Sequence, residues 1–361
     1  MTTEWFSAFA PGRVNLIGDH TDYAGGLALP CAIDLGITFR GQRVGTTIAL
    51  TSDTHNGSVT VDMNHLQSVP SMTFESSEFP TEPEWVRYVA AVAYECRATT
   101  GLFGTLQSTV PSGAGLSSSA ALEILLALAL GFEGSPLELA MLGQRAELRA
   151  VGVPCGLLDQ LSIVFGKANQ AMVIDFSDLS IEQVAFPENL DIVILHSGET
   201  RQLATSQYAE RRAACEIAAE RIGPLAVVSI KEIESLDEPL FRRARHVVTE
   251  CNRVRQAAVA LRENNPAEIG RLMTQSHTSL RDDFEVSTST LDALVDRLVS
   301  LPGVYGARLT GAGFGGCVVA LCEGGAIKDP AAMTGQGWIV RPADGARILT
   351  EKSDDNQNHR Y

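Results

Sequence analysis

Pro11-Gly-Arg-Val-Asn-Leu-Ile-Gly-Asp-His-Thr-Asp-Tyr-Ala-Gly-Gly26 is the stretch on which the reading of this chain turns. Arg13, Asp19, His20 and Asp22 fall within ten positions, bracketed by glycines. Such a run offers several sharp hydrogen-bonding groups and little bulk. A polyhydroxylated ligand calls for that set, because carboxylates accept from hydroxyls while Arg and His donate to them. Gly and Asp are equally at home in an ordinary polar turn, so the run needs company before it means a site.

The first company is Val110-Pro-Ser-Gly-Ala-Gly-Leu-Ser-Ser-Ser-Ala120. Two glycines let the backbone approach a bulky anion, and three serines add hydroxyl donors. The residues from Ser119 to Leu130 are apolar nearly all round, which predicts a buried helix. Its unpaired N–H groups and positive dipole end face the loop, a cradle for a triphosphate. The GxxxxGK[ST] spacing and its lysine are absent, so this is not the common nucleotide loop. A flexible loop with a serine cap is the alternative. A buried helix start needs partners for its N–H groups, and a bound phosphate supplies them.

Two carboxylates follow. Ser135-Pro136 opens another helix, with Ser as cap and Pro at the first helical position, running to about Ala150 and carrying Glu147. Cys155-Gly-Leu-Leu-Asp-Gln160 then places Asp159 at the start of a further helix, with Gly156 allowing close approach to the backbone. Magnesium takes one or two carboxylates, a hydroxyl, phosphate oxygens and waters; Glu147 with Ser119 could supply the protein share. Asp159 could orient or deprotonate an attacking hydroxyl, positioning counting for more than base strength in a loose phosphoryl-transfer transition state. Alone, Asp159 reads equally as a helix cap and Glu147 as a solvated side chain. A third glycine-rich run, Ala307-Arg-Leu-Thr-Gly-Ala-Gly-Phe-Gly-Gly-Cys317, lies between two short strands. No helix follows it, so it is no dinucleotide loop. It reads as packing over the phosphate loop, or as a structural hairpin.

The frame around these motifs is ordinary. The chain has 361 residues, 45% hydrophobic and 20% charged, enough for two domains. A net charge of −15 argues against a duplex nucleic-acid binder. Met1–Ala10 carries no basic start with an apolar run, so no leader is expected. The apolar run near 120–130 is interrupted by Glu123 and too short for a bilayer, so no membrane partner is expected. Seven scattered cysteines without a CxxC pair support neither a zinc site nor a disulfide framework, and suggest a reducing, cytoplasmic setting.

Strands are expected at 28–40, 46–51, 171–176, 191–196, 307–309 and 317–321. Helices are expected at 84–99, 203–222, 239–263, 266–281 and 290–300, besides those above. The tail from Asp354 reads as frayed. The shift near 180–188 divides the chain into 1–182 and 183–361, two α+β domains.

The three motifs, in this order, resemble the GHMP small-molecule kinases, and Gly12–Tyr23 resembles the sugar signature of the galactokinase family nearly letter for letter. Leu203–Arg212, His246–Glu250 and Ser276–Glu285 are similar to further family segments. The resemblance implies a two-domain α+β GHMP kinase fold with the active site in the inter-domain cleft. It implies ATP- and Mg2+-dependent phosphorylation of D-galactose at the anomeric hydroxyl. Asp159 and Arg13 would be catalytic, with Arg13 stabilising the transferring phosphoryl group. Asp19, His20, Thr21, Asp22, Gly156 and Tyr208 would hold the sugar. Gly113, Ala114, Gly115, Leu116, Ser117, Ser118 and Ser119 would hold ATP, and Ser119 with Glu147 the magnesium. The expected partner is a small sugar and no nucleic acid or membrane, for a monomer or weak oligomer. The family usually has Glu where Asp19 stands, reaching the sugar's 6-hydroxyl, which opens the alternative of a 1-kinase for a pentose or modified hexose. Arg201 falls near a basic family position. A catalytically silent sugar sensor is the third possibility, disfavoured by the intact Ser117–Ala120 run.

Overall fold

The structure is a computed structural model that describes residues 4–55, 57–68, 80–111, 113–152, 155–199 and 204–349. Arg201 and the tail from Asp354 lie outside the described residues. The first half builds strands β1 (Phe6–Ile17), β2 (Leu27–Arg43), β3 (Thr47–Ser52), β4 (Ser58–Asp62), β5 (Leu102–Ser108), β6 (Gln170–Asp175) and β7 (Ser180–Ala185). Between them lie α1 (Met63–Ser68), α2 (Val86–Glu95), α3 (Ser118–Ala129), α4 (Pro136–Val151) and α5 (Leu158–Phe165). The second half adds β8 (Leu190–His196), β9 (Val304–Thr310), β10 (Cys317–Glu323), β11 (Gly337–Val340) and β12 (Arg347–Leu349). Its helices are α6 (Ala204–Ile222), α7 (Ile230–Ile233), α8 (Leu240–Arg262), α9 (Pro266–Asp282), α10 (Ser289–Val299) and α11 (Ala331–Thr334).

Two sheets result. The larger runs β12-β1-β2-β5-β3-β4, with β6 joining β2 to β7; the smaller runs β11-β8-β10-β9. All pairings are antiparallel except β3 with β5. One face of the large sheet packs Phe39, Ile48 and Leu50 against Val89 of α2 and Leu125 of α3. Residues nearer the end of β1, Val14 and Leu16, join a second core with Ile192, Val247, Leu272 and Val319. Cutting Leu16 back to Ala in such a setting costs about 2–5 kcal/mol. Elements of both halves are thus welded by one continuous core, and the cleft lies along their line of contact.

The expected helices are present within a residue or two at most ends, and Ser135 makes a reciprocal capping box with Glu138. The 84–99 helix is shorter, spanning Val86–Glu95. The first half of the opening stretch is not a loop. Pro11–Ile17 belongs to β1, a strand buried on both faces, with register shifts at Pro11/Arg13 and Asn15/Ile17. Proline and bulged residues are tolerated where the ladder is interrupted. The division at 182/183 falls inside β7, which pairs with β6 up to Ala185, so the change of sheet lies at 186–189. The chain also returns, since β12 pairs with β1.

Candidate active site

The anion loop is held against β1 from behind. Arg13 N–H donates to the Leu116 carbonyl at 3.2 Å, and a Cβ on Gly12 would sit 2.7 Å from that oxygen. Ala114 and Leu116 point their side chains into the core and can offer a ligand only backbone. Gly113 and Gly115 take left-handed φ of 74° and 77°, and a Cβ on Gly113 would meet nothing within 4 Å. Ser117, also left-handed, does not cap α3 with its hydroxyl. It donates instead to Asp159 Oδ2 at 2.5 Å. The first N–H groups of α3 are left without that partner, as an anion site requires. The fit to a triphosphate is therefore one of backbone donors, open space and a helix dipole.

Arg13 and Asp159, 146 positions apart in sequence, meet here. Arg13 Nε and Nη2 both donate to Asp159 Oδ1, at 2.8 and 2.7 Å, and Nη1 donates to the Gly115 carbonyl at 2.6 Å. The guanidinium is buried while the carboxylate keeps 30% exposure, so the pair presents its acid to the cleft. Such a fork fixes direction as well as charge.

Beside it, Ser119 Oγ donates to Glu147 Oε1 at 3.1 Å. Burial, and then the Asp159 charge, push the Glu147 carboxyl up. Behind it stands Glu123, fully buried on α3 and pushed well above the carboxylate range by burial and by Glu147. Gln160 bridges the two, donating to Glu147 Oε2 at 2.8 Å. Among the described residues no group of three or more His, Cys, Asp or Glu could hold a metal by itself. One carboxylate and one hydroxyl facing a phosphate cradle, with a second carboxyl group buried behind them, is the donor set magnesium accepts. Cys155 donates its thiol to Glu147 Oε2 at 3.3 Å, and burial and that carboxylate push it too high to act as a nucleophile.

The turn at Gly18–Tyr23 completes the cleft. His20 takes a left-handed φ of 64°. Burial pulls its pKa down to about 3, so the ring is neutral. Its Nε2 lies 3.2 Å from the Ala312 carbonyl and must carry the proton; Nδ1 then accepts from the Tyr23 hydroxyl at 2.9 Å. The rings of Tyr208 and Phe284 lie 5.6 and 4.7 Å from it. Burial first, then Asp159, raise Asp22 to about 6. Gly156 is bare for a reason: a Cβ there would stand 1.5 Å from Asp22 Oδ2.

Two expectations change. Thr21 does not face the cleft; it is fully buried and its hydroxyl serves the Gly18 and Leu27 carbonyls at 3.0 and 2.8 Å. The third glycine run lends Gly311 and Ala312 to the cleft, but the hydrogen bonds of its Gly311–Gly316 loop among the described residues go to His20, Val286, Ser197 and Glu199 rather than to the anion loop. Asp19 does line the cleft, yet its carboxylate is already taken by Arg308 and by Asn15.

These groups line one cleft of about 960 Å³, which also takes His196, Gly198 and Gln336 from the second half. A second cavity of about 440 Å³ shares Ser118 and Ser119 with it and is walled by His55, Trp85 and Tyr88. None of these added residues was singled out in the sequence as a site.

Comparison with known proteins agrees with this geometry. Residues 2–43 match the model of the galactokinase galactose-binding signature, 86–167 the GHMP kinase N-terminal domain and 257–335 the GHMP kinase C-terminal domain. Galactokinase of Bos taurus is 40% identical over 361 residues, covering 94% of this chain and 91% of the relative. That of Roseiflexus is 38% identical over 370 residues, with 93% and 91% covered. The structure of Lactococcus lactis galactokinase complexed with galactose superposes with a TM-score of 0.85 at 32% identity, over 96% of each chain. Methanococcus jannaschii mevalonate kinase shares the fold, with a TM-score of 0.68 at 22% identity over 95% and 99%. Matched along nearly its whole length, with the sugar signature at its start, the chain belongs to the galactokinase family of the GHMP kinases.

Proposed function

We propose that this enzyme transfers the γ-phosphoryl group of ATP to the anomeric hydroxyl of D-galactose, with Mg2+, giving galactose 1-phosphate. The observation that carries the reading is the Arg13–Asp159–Ser117 cluster, set between the anion loop and the His20–Asp22–Tyr208 pocket. A sugar hydroxyl held there has a carboxylate beside it and the phosphate cradle before it. Asp159 orients the hydroxyl and accepts its proton as the new P–O bond forms and the bond from the γ-phosphorus to the bridging oxygen breaks, releasing ADP, and the positive charge of Arg13 and of the α3 start meets the transferring group. Ser119 and Glu147 would hold magnesium, which would supply charge neutralisation on the phosphates. The nucleotide base suits the second cavity, which Trp85 and Tyr88 line next to Ser118 and Ser119. Asp22, ionised above about pH 6, is the acceptor for sugar hydroxyls. Seven free cysteines suit a cytoplasmic setting, and no helix of the described residues is long and apolar enough to cross a membrane.

The test is ATP turnover by purified protein with magnesium against D-galactose, 2-deoxygalactose, N-acetylgalactosamine, D-fucose, L-arabinose and D-glucose. A kcat/KM for galactose about tenfold or more above the sugars lacking a 6-hydroxymethyl group is expected. Equal or better turnover of D-fucose or L-arabinose would make the enzyme a broader sugar 1-kinase.

A further inference from the structure

The Gly18-Asp19-His20 turn does not hold itself. Gly18 and His20 both take left-handed backbone, with φ of 102° and 64°. Glycine takes such a backbone freely, but at His20 it is strained, and strain of this kind persists only where the surroundings over-determine it. Those surroundings come from the far end of the chain. Gly18 N–H donates to Glu250 Oε1 at 2.9 Å. His246 Nε2 lies 3.1 Å from the Asp19 carbonyl, to which it donates. Arg308 grips the Asp19 carboxylate, and its other arm donates to the Asn15 carbonyl at 3.3 Å. Glu250, His246 and Arg308 are all buried.

The clamp has its own supports. Glu250 accepts from Ser276 Oγ at 2.5 Å and from Arg253 Nε at 2.6 Å. Burial pushes its carboxyl up, but Arg253, His246, Arg308 and Ser276 together hold it down at about 2. His246 Nδ1 lies 2.9 Å from Ser279 Oγ. The Phe284 ring stands between the two histidines, 4.7 Å from His20 and 4.6 Å from His246. His246, Glu250, Ser276, Ser279 and Phe284 occupy the His246–Glu250 and Ser276–Glu285 segments, which the phosphoryl-transfer chemistry leaves without a task.

We propose that Glu250, His246 and Arg308 are positioning residues for the sugar: three side chains of the second half that fix the turn presenting Asp19, His20 and Asp22 to the cleft. The inference rests on the reading of that turn as the sugar site. The side-chain hydrogen bonds of Arg13, Asp159, Ser117, Ser119 and Glu147 run among themselves and to the anion loop, Gln160 and Cys155, none of them to the clamp. The clamp therefore acts on sugar binding and leaves phosphoryl transfer and ATP binding nearly untouched.

His246→Ala and His246→Gln separate this from a general structural role. Galactose KM, ATP KM, kcat, melting temperature and amide hydrogen exchange over residues 15–26 are measured for both. His246→Ala should raise the galactose KM about tenfold, with ATP KM and kcat within about threefold of wild type, and speed exchange at Gly18 and Asp19. His246→Gln, whose amide nitrogen can donate to the Asp19 carbonyl, should recover most of the loss. A lowered melting temperature with wild-type galactose KM, or a fall in kcat with no change in sugar KM, would overturn the proposal. If His246→Ala does not fold, Ser276→Ala, expected to raise the sugar KM about threefold, decides it in the same way. If the wild-type enzyme refuses galactose, the functional reading fails first. The comparison then runs on the sugar it does accept, and unchanged exchange at Gly18 in the variants overturns the clamp.

Discussion

The two binding regions of the cleft are built in opposite ways. The anion loop of residues 113–119 is local and open: consecutive residues present backbone and hydroxyls, and a Cβ on Gly113 would meet empty space. The sugar turn of residues 18–22 is remote and closed. A Cβ on Gly18 would stand 2.6 Å from both Ala28 Cα and the Leu27 carbonyl, and His246, Glu250 and Arg308, which hold the turn, lie 227 to 289 positions away. The difference follows the ligands. A polyphosphate is recognised by charge, which a helix start and bare backbone supply from a short sequence. A sugar is recognised by the directions of its hydroxyls, which demand side chains held rigidly from several sides.

The largest effect should come where the two regions meet. Asp159→Asn keeps the shape and removes the proton acceptor, so kcat should fall by about 10²–10⁴-fold with both KM values near wild type. Single-turnover assays check this, and a fall in sugar affinity alone would move Asp159 into the binding set.

A pair of glycine substitutions addresses the contrast itself. Gly18→Ala forces a side chain into packed backbone at positive φ and should cost about 3 kcal/mol or more of folding stability. Gly113→Ala meets no neighbour and should cost only about 1–2 kcal/mol, the backbone strain alone, with its functional effect confined to ATP KM. Urea denaturation of the two variants side by side would collapse the contrast if the costs were equal.

Gly156→Ala drives a methyl into the Asp22 carboxylate. Galactose KM should rise about tenfold or more while ATP KM stays, read in steady-state kinetics. The smallest effect is a titration. With Asp22 raised to about 6, its acceptor form is lost as pH falls, and sugar kcat/KM should drop about tenfold between pH 7 and 5. Stability runs the other way. Because the folded value lies above the ordinary 3.8, this group's contribution grows as pH falls through 6 and levels off below 3.8. Asp22→Asn should flatten both profiles.

The same contrast explains what could be read from the sequence. Helix starts with local caps, such as Ser135 with Glu138, and the loop-plus-buried-helix at 110–130 carry their reasons within a few residues. Arg13, Asp159, Ser119 and Glu147 were named as chemistry from motifs, although only the fold shows Ser117 as the second partner of Asp159. Thr21 was placed in the sugar set because it sits between His20 and Asp22, and nothing local tells that its hydroxyl turns back onto Gly18. Glu123 was seen as a break in an apolar run, not as a carboxyl group buried behind Glu147. Pro11–Ile17 hid a strand because both of its faces are buried, which erases the alternation that marks a half-buried one. Glu250, His246 and Arg308 were out of reach, since their task depends on contacts across more than 200 positions.

The most direct measurement is phosphorus NMR of the purified enzyme with ATP, magnesium and D-galactose, alongside Asp159→Asn. The account predicts a sugar 1-phosphate resonance growing in step with ADP in the wild type and nearly absent in the variant. No phosphorylated galactose at millimolar sugar, or phosphate placed on another hydroxyl, would contradict it.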